Sequence, residues 1–291
     1  MQNETNVNGQ YKDRLFNFIF GREENREWTL SLYNAINGSS YTDASLIQFN
    51  TLENVIYISM VNDTSFLISG TVNVYEHQST YNPNMPYRFL EYLSKLYSGY
   101  ITDNKLNQYG SKLMKLPTPR LVVFYNGIDD KDEESILKLS DSYIKPVDGE
   151  PDIDVRVRMI NVNYGKNKKI MDACKPLSEY SWLIDKIREY QKAGMNIDEA
   201  VDDAVKYMPA DFMIKPFLIK NQAEVKGMLS TEYNEAEIRE LFMEDGRAEE
   251  RENTAREKAR ADAEKDRADA AEEEIRKLKE ELAKVCAQMK Q

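Results

Sequence analysis

Apolar positions first fall at helical spacing from Lys12, where Leu15, Phe16, Ile19 and Phe20 form one stripe and, past the charged break at Gly21–Arg26, Trp28, Leu32, Ala35 and Ile36 form a second. Residues 1–10 are polar and are expected to fray. Gly38 and Ser39 end the second helix. Between Leu46 and Gln78 the usage changes to Val, Ile, Tyr, Phe and Thr, which predicts strands near 46–50, 55–60, 63–68 and 71–78. Asn82-Pro83 and Met85-Pro86 break the sheet, and Pro86 suits the first turn of a helix over 87–101 that carries Phe89, Leu90, Leu93, Leu96, Tyr97 and Tyr100. The continuous apolar run Leu121–Tyr125 predicts a strand buried on both faces, closed by Asn126-Gly127. Residues 128–150 are acidic and read as a loop, 155–162 as another strand, and 167–241 as mostly helical with breaks at Gly194, Pro209 and Pro216.

After Gly246 the chain turns to Ala, Glu, Arg and Lys. Ala271, Ile275, Leu278, Leu282, Val285 and Met289 recur with a 4-3 alternation, a heptad seam that weakens upstream. It fits a single solvated helix held by i,i+4 charge pairs as well as it fits a short coiled coil that joins copies of the chain.

Composition narrows the chemistry. No apolar run is long enough for a membrane span, and the first fourteen residues do not read as a secretory signal. Two distant cysteines, Cys174 and Cys286, exclude a disulfide framework and suit a reducing cytoplasm. The single histidine, His77, excludes a multi-His metal site within one chain, and no phosphate-cradling GxxxxGK[ST] or GxGxxG loop occurs. Hydrolytic chemistry would therefore rest on carboxylates, amides, Lys and Arg. The net charge is −11, of which residues 245–291 contribute 14 acidic and 12 basic side chains, leaving 36 acidic against 27 basic in residues 1–244. An acidic body draws DNA poorly, because nonspecific affinity comes from Lys and Arg neutralising phosphates.

The stretch DTSFLISGTVNVYEHQ, residues 63–78, holds the most pointed pattern. A two-residue turn at Ser69-Gly70 pairs Ile68 with Thr71, Phe66 with Asn73 and Asp63 with Glu76. Alternation then puts Asp63, Ser65, Leu67, Val72, Val74, Glu76 and Gln78 on one face, and Thr64, Phe66, Ile68, Thr71, Asn73, Tyr75 and His77 on the other. Two carboxylates directly opposite, with Cβ atoms about 4.5–5.5 Å apart, repel unless a counter-ion joins them. Mg²⁺, or Mn²⁺ in its place, is such an ion, since it takes hard oxygen ligands and retained waters. Gln78 on the same face would orient a bound water or a phosphate oxygen. The same residues also fit an exposed charged face, and a bulge at Gly70 would separate the pair. His77 points away and reads as a packed, hydrogen-bonded structural residue.

Asp63 followed by Glu76-His77-Gln78 resembles the D…ExQ variant of the PD-(D/E)XK nuclease motif. The longer block YEHQSTYNPNMPYRFLEYL, residues 75–93, is similar to the EHQST-x-N-x-x-MP-x-R-x-x-x-Y block of the Rpn family of recombination-promoting nucleases, also described as transposase-like. Lys12-Asp13-x-x-Phe16, LYNAINGSSY (32–41), YGSKLMKLPTPRLVVFYNG (109–127) and NVNYGKNKKIMDACKPL (161–177) look like that family too, so the similarity spans roughly residues 11–245.

The resemblance implies an α/β (α+β) fold, a PD-(D/E)XK-like mixed sheet flanked by helices. With the change of composition after Gly246, the chain is expected to divide into a nuclease core (11–165), a helical region (166–245) and a charged C-terminal helix or coiled coil (246–291). The resemblance implies a Mg²⁺-dependent DNA endonuclease in which Asp63 and Glu76 bind metal, Asp13 adds a third acidic ligand, and Gln78 replaces the usual lysine. A neutral Gln lends no positive charge to the phosphorane, so another cation must. Arg88 and Tyr92, one turn apart on the next helix, and Lys112, Lys115 and Arg120 are the candidate DNA contacts, with Lys166, Lys168 and Lys169 as a further basic cluster. Salt bridging and solvation are the plain alternatives for all of these. A second hypothesis, favoured by the acidic body and the absent lysine, is a catalytically lapsed nuclease fold that assembles partners through its helical C-terminus. A transposase proper ranks below both, since no separate helix-turn-helix with a basic recognition helix is evident.

Overall fold

A computed structural model describes residues 15–49, 63–145 and 149–231, together with positions 233, 250, 251, 254–258, 260, 261, 265 and 279. The chain forms two compact units, Met1–Asn234 and Glu235–Gln291. In the second unit the described positions are helical. The heptad seam at 271–289, the strand expected at 55–60 and Asp13 lie outside the described residues.

The first unit is built on a six-stranded mixed sheet. Its strands are β1 (Gln48–Phe49), β2 (Asp63–Ile68), β3 (Thr71–Gln78), β4 (Thr118–Tyr125), β5 (Glu134–Lys138) and β6 (Arg156–Asn161), in the spatial order β1-β2-β3-β4-β6-β5. The hairpin β2–β3 is antiparallel, β3, β4 and β6 run parallel, and β5 returns antiparallel along β6. The helices are α1 (Leu15–Phe20), α2 (Arg26–Asn37), α3 (Met85–Asp103), α4 (Lys168–Ala173), α5 (Lys175–Lys192), α6 (Ile197–Tyr207) and α7 (Lys215–Lys220), followed by a helical stretch over 222–231.

Sequence pattern accounts for most of these elements. Gly38, at φ +64°, supplies the left-handed residue that closes α2. Pro86 lies in the first turn of α3, where its missing N–H costs nothing. Ser69 and Gly70 hold φ of +47° and +75°, the two positive dihedrals of a type I′ turn, whose twist matches the strands it joins. Pro216 sits in the first turn of α7, so it begins a helix where a break was expected.

Each face of the sheet buries its own core. Toward α3 lie Val72, Val74, Leu121, Val123, Tyr125, Val157 and Met159, packed on Met85, Phe89, Tyr92 and Leu96. On the other face Phe66, Ile68, Tyr75, Val122, Phe124 and Ile160 meet α1, α2 and α4–α7. Phe16, Phe124 and Tyr75 form a contiguous aromatic chain there, with ring centroids 4.7 and 5.4 Å apart. α1 docks closely on β2: a Cβ at Gly21 would collide with Asn17 and Thr64, whose side chains bond to each other. Helices α4–α7 and the stretch 222–231 feed the same core as α1 and α2, so the change at 165 is one of secondary structure rather than of packing.

One expectation is corrected. Residues 128–150 do not form only a loop, since Glu134–Lys138 is an edge strand and Leu139–Ser142 a turn of 3₁₀ helix. The strand is short and its side chains are exposed or half-buried, which leaves little of the apolar signal by which a strand is recognised. No helix among the described residues is long and apolar enough to cross a membrane.

Because β4 is buried on both sides, Phe124→Ala is expected to cost about 3–5 kcal/mol. Gly70→Ala, which forces a Cβ into the left-handed region, is expected to cost about 1–2 kcal/mol. Urea unfolding of each variant measures both.

Candidate metal centre

The hairpin fixes the site's frame. β2 and β3 pair in the register Asp63↔Glu76, Phe66↔Asn73 and Ile68↔Thr71, with no bulge at Gly70. Positions 63, 76 and 78 therefore share the sheet face covered by α3. They lie near the carboxyl ends of β3 and β4, where open sheets with parallel strands place their ligand crevices.

Glu76 and Gln78 are both buried. Gln78 Nε2 stands 3.4 Å from Glu76 Oε1, and Gln78 Oε1 is buried with no hydrogen-bond partner among the described residues. A buried acceptor left unsatisfied is costly, so something that donates or carries positive charge belongs against it. Arg88, in the first turns of α3, donates from Nη1 to Glu76 Oε1 at 2.9 Å. The Glu76 side chain is 8% exposed and that of Arg88 37%, so the guanidinium reaches from the rim to a carboxylate inside. The plain alternative foresaw a bridge to a surface carboxylate; Arg88 instead pairs with the buried acid proposed to bind metal.

Tyr92, one turn on, is buried and bonds Ser65 Oγ at 3.3 Å, which pins α3 to β2. Lys112 and Lys115 are exposed on the segment entering β4 at Thr118. Thr118 pairs with Thr71, so these lysines lie at the opposite end of the sheet, with Glu76 roughly 16 Å further along β3. Arg120 pairs with Asn73 and is exposed. Lys166 pairs with Asp130 and Lys168 with Asp172.

The residues suit Mg²⁺ or Mn²⁺ in kind: one buried carboxylate and a second acidic position in register to hold the ion, with an amide oxygen beside them that no described residue bonds and that could orient a coordinated water. Among the described residues no cluster of three or more His, Cys, Asp or Glu side chains is found. Arg88 already neutralises Glu76, so cation binding there is an exchange of one positive group for another.

On the opposite face of the same strand end, a polar network went unrecognised in the sequence. His77 Nε2 lies 2.9 Å from the Tyr180 hydroxyl, which accepts from Asn126 Nδ2 at 3.1 Å. Arg188 donates to the Asn126 carbonyl and, at 2.9 Å, to Asn163 Oδ1, while Asn163 Nδ2 donates to Gly127 O at 2.9 Å. His77 also stacks on Phe16, with centroids 5.3 Å apart, in the structural role expected of it. The network ties α5 to the ends of β3 and β4. Asn126-Gly127 read as a turn was its one visible sign; Tyr180 and Arg188 gave none, because their partners are distant in sequence. Cys174 is buried, and burial pushes its thiol up to about 11, which leaves no thiolate for nucleophilic work at neutral pH.

Arg88→Ala is expected to cost about 1.5–3 kcal/mol, toward the lower value because the guanidinium is partly solvated. Millimolar Mg²⁺ is then expected to raise the melting temperature of Arg88→Ala more than that of the unaltered chain, since the competing cation is gone. Tyr180→Phe, which empties the bridge between His77 and Asn126, is expected to cost about 1–3 kcal/mol and to leave the Mg²⁺ response unchanged. Thermal and urea unfolding with and without the metal measure all three. Compared with known proteins, the chain matches no protein-family model, no curated protein and no solved structure.

Proposed function

We propose that this chain is a metal-dependent endodeoxyribonuclease that hydrolyses DNA phosphodiesters, of the recombination-promoting type its sequence resembles. The observation that carries this reading is the pairing of position 63 with Glu76 across β2–β3, with a Gln78 oxygen that no described residue bonds on the same buried face. Bound Mg²⁺ or Mn²⁺ would polarise a phosphoryl oxygen and acidify a coordinated water. The chain's own residues supply the rest. Glu76 and Asp63 would hold the cation through carboxylate oxygens, and Asp13 is the further acidic residue the resemblance suggests. Gln78 orients the attacking water through Oε1. Arg88, freed from Glu76, supplies at the rim the positive charge that a Gln cannot, in the forked geometry that suits a phosphate.

A second reading is favoured by one observation. The Arg88–Glu76 pair leaves the carboxylate neutralised without any metal, as in a nuclease fold kept as a scaffold. The acidic body agrees with it.

Plasmid nicking separates the two. With Mg²⁺ or Mn²⁺ the unaltered chain is expected to nick, and Asp63→Ala and Glu76→Ala are expected to fall to background while keeping cooperative unfolding. Equal cleavage by all three would remove the proposed site. No cleavage by a folded, unaltered chain with either metal would leave the scaffold reading.

A further inference from the structure

Among the described strands, β1 and β5 stand at the two edges of the sheet. β5, Glu134–Lys138, is a regular five-residue strand with β6, among the described residues, on one side only. Two bonds bracket its inner ladder: Asn161 N–H to Glu133 O at 2.8 Å and Leu139 N–H to Val155 O at 2.9 Å. In an antiparallel pair, hydrogen-bonded and non-bonded residues alternate. Residues 133, 135, 137 and 139 therefore turn their N–H and C=O toward β6. Residues 134, 136 and 138 turn theirs outward, and among the described residues none bonds them.

Edges of this kind are normally blunted by a proline, a bulge, an inward charge or a covering segment. β5 has no proline or bulge, and its central Ile136 is 51% exposed. Its one guard is Lys138, and the same strand carries the complement, Glu134. A two-fold axis through Ile136 sets Ile136 against its own copy and Glu134 against Lys138 of the other chain, twice over. That register also makes 134, 136 and 138 the hydrogen-bonded positions, so the outward groups meet groups of opposite kind. Glu134 keeps its forked pair with Arg158 at 2.8–3.0 Å and has lone pairs left for the incoming lysine.

We infer that the β5 edge is a self-complementary docking surface for a second copy of this chain, which joins two six-stranded sheets into one continuous sheet about a dyad at Ile136. The partner is specified by charge order as well as by shape. An antiparallel E-S-I-L-K strand matches itself, whereas a parallel pairing in register would set like charges side by side. The interface is small, so association is reversible and rises with concentration. It is independent of the metal reading and of the heptad seam.

Cross-linking of the full chain tests it. In a Cys286→Ser background, Cys174 is buried and unreactive, so an introduced thiol is the reporter. Positions 136 meet at the dyad with Cα atoms about 5.5 Å apart. Ile136→Cys is expected to yield a covalent dimer with a short bismaleimide. Ile128→Cys, exposed but outside the strand, is expected to yield little. Adding Lys138→Glu to Ile136→Cys sets like charges together and is expected to abolish the dimer. Mixing that chain with one carrying Ile136→Cys and Glu134→Lys restores opposite charges at both junctions and is expected to recover it. Circular dichroism confirms that each variant is folded. No dimer from Ile136→Cys, an equal yield from Ile128→Cys, or a yield indifferent to Lys138→Glu would each overturn the inference.

Discussion

The two left-handed residues at Ser69-Gly70 set the register of β2 on β3, and the site depends on that register. Side chains alternate across a strand, so a slip of one residue would exchange every face. Glu76 would then enter the aromatic core where His77 stacks on Phe16, and a charge without a partner there is costly. The cores on both faces reject that arrangement together. Val72 and Val74 are needed toward α3, and Phe66 and Tyr75 toward α1 and α2. A short turn and two apolar surfaces thus agree on one pairing, and the same pairing sets Asp63 opposite Glu76.

Burial decides what Glu76 can do. A carboxylate this far inside needs a counter-ion, and α3 brings one. Asn82-Pro83 and Met85-Pro86 stop the chain after β3 and start the helix, which carries Arg88 over the strand end. The folded chain thus carries a cation of its own against this carboxylate. Any external cation at this carboxylate would compete with the tethered guanidinium. The opposite face of the same strand end is treated differently. There, hydrogen bonds run from His77 through Tyr180 to Asn126, and Arg188 joins Asn126 to Asn163, which clamps α5 to the sheet.

Several of the basic residues are held by partners within the fold. Lys166 and Lys168 have carboxylate partners, and Arg158 is held by Glu134 and the Ile36 carbonyl. Lys112 and Lys115 stand at the far end of β4 from Glu76. Among the basic candidates named from the sequence, Arg88 is the one brought to the carboxylate.

The amino-acid order determined the elements whose causes are local. The type I′ turn, the apolar stripes of α1 and α2, the Pro86 start of α3 and the twice-buried β4 follow from residues a few positions apart, and so does the face shared by positions 63, 76 and 78. The edge strand β5 escaped notice because it buries little and has almost no apolar period to reveal it. Tertiary structure alone decided which parallel strands neighbour β4, that α4–α7 close the same core as α1, and that Arg88 grips Glu76 rather than a surface acid. It also brought Tyr180 and Arg188 to Asn126 across more than fifty positions. Those contacts join groups far apart in sequence, and their partners are selected by the burial and desolvation of the folded core, which no local pattern encodes.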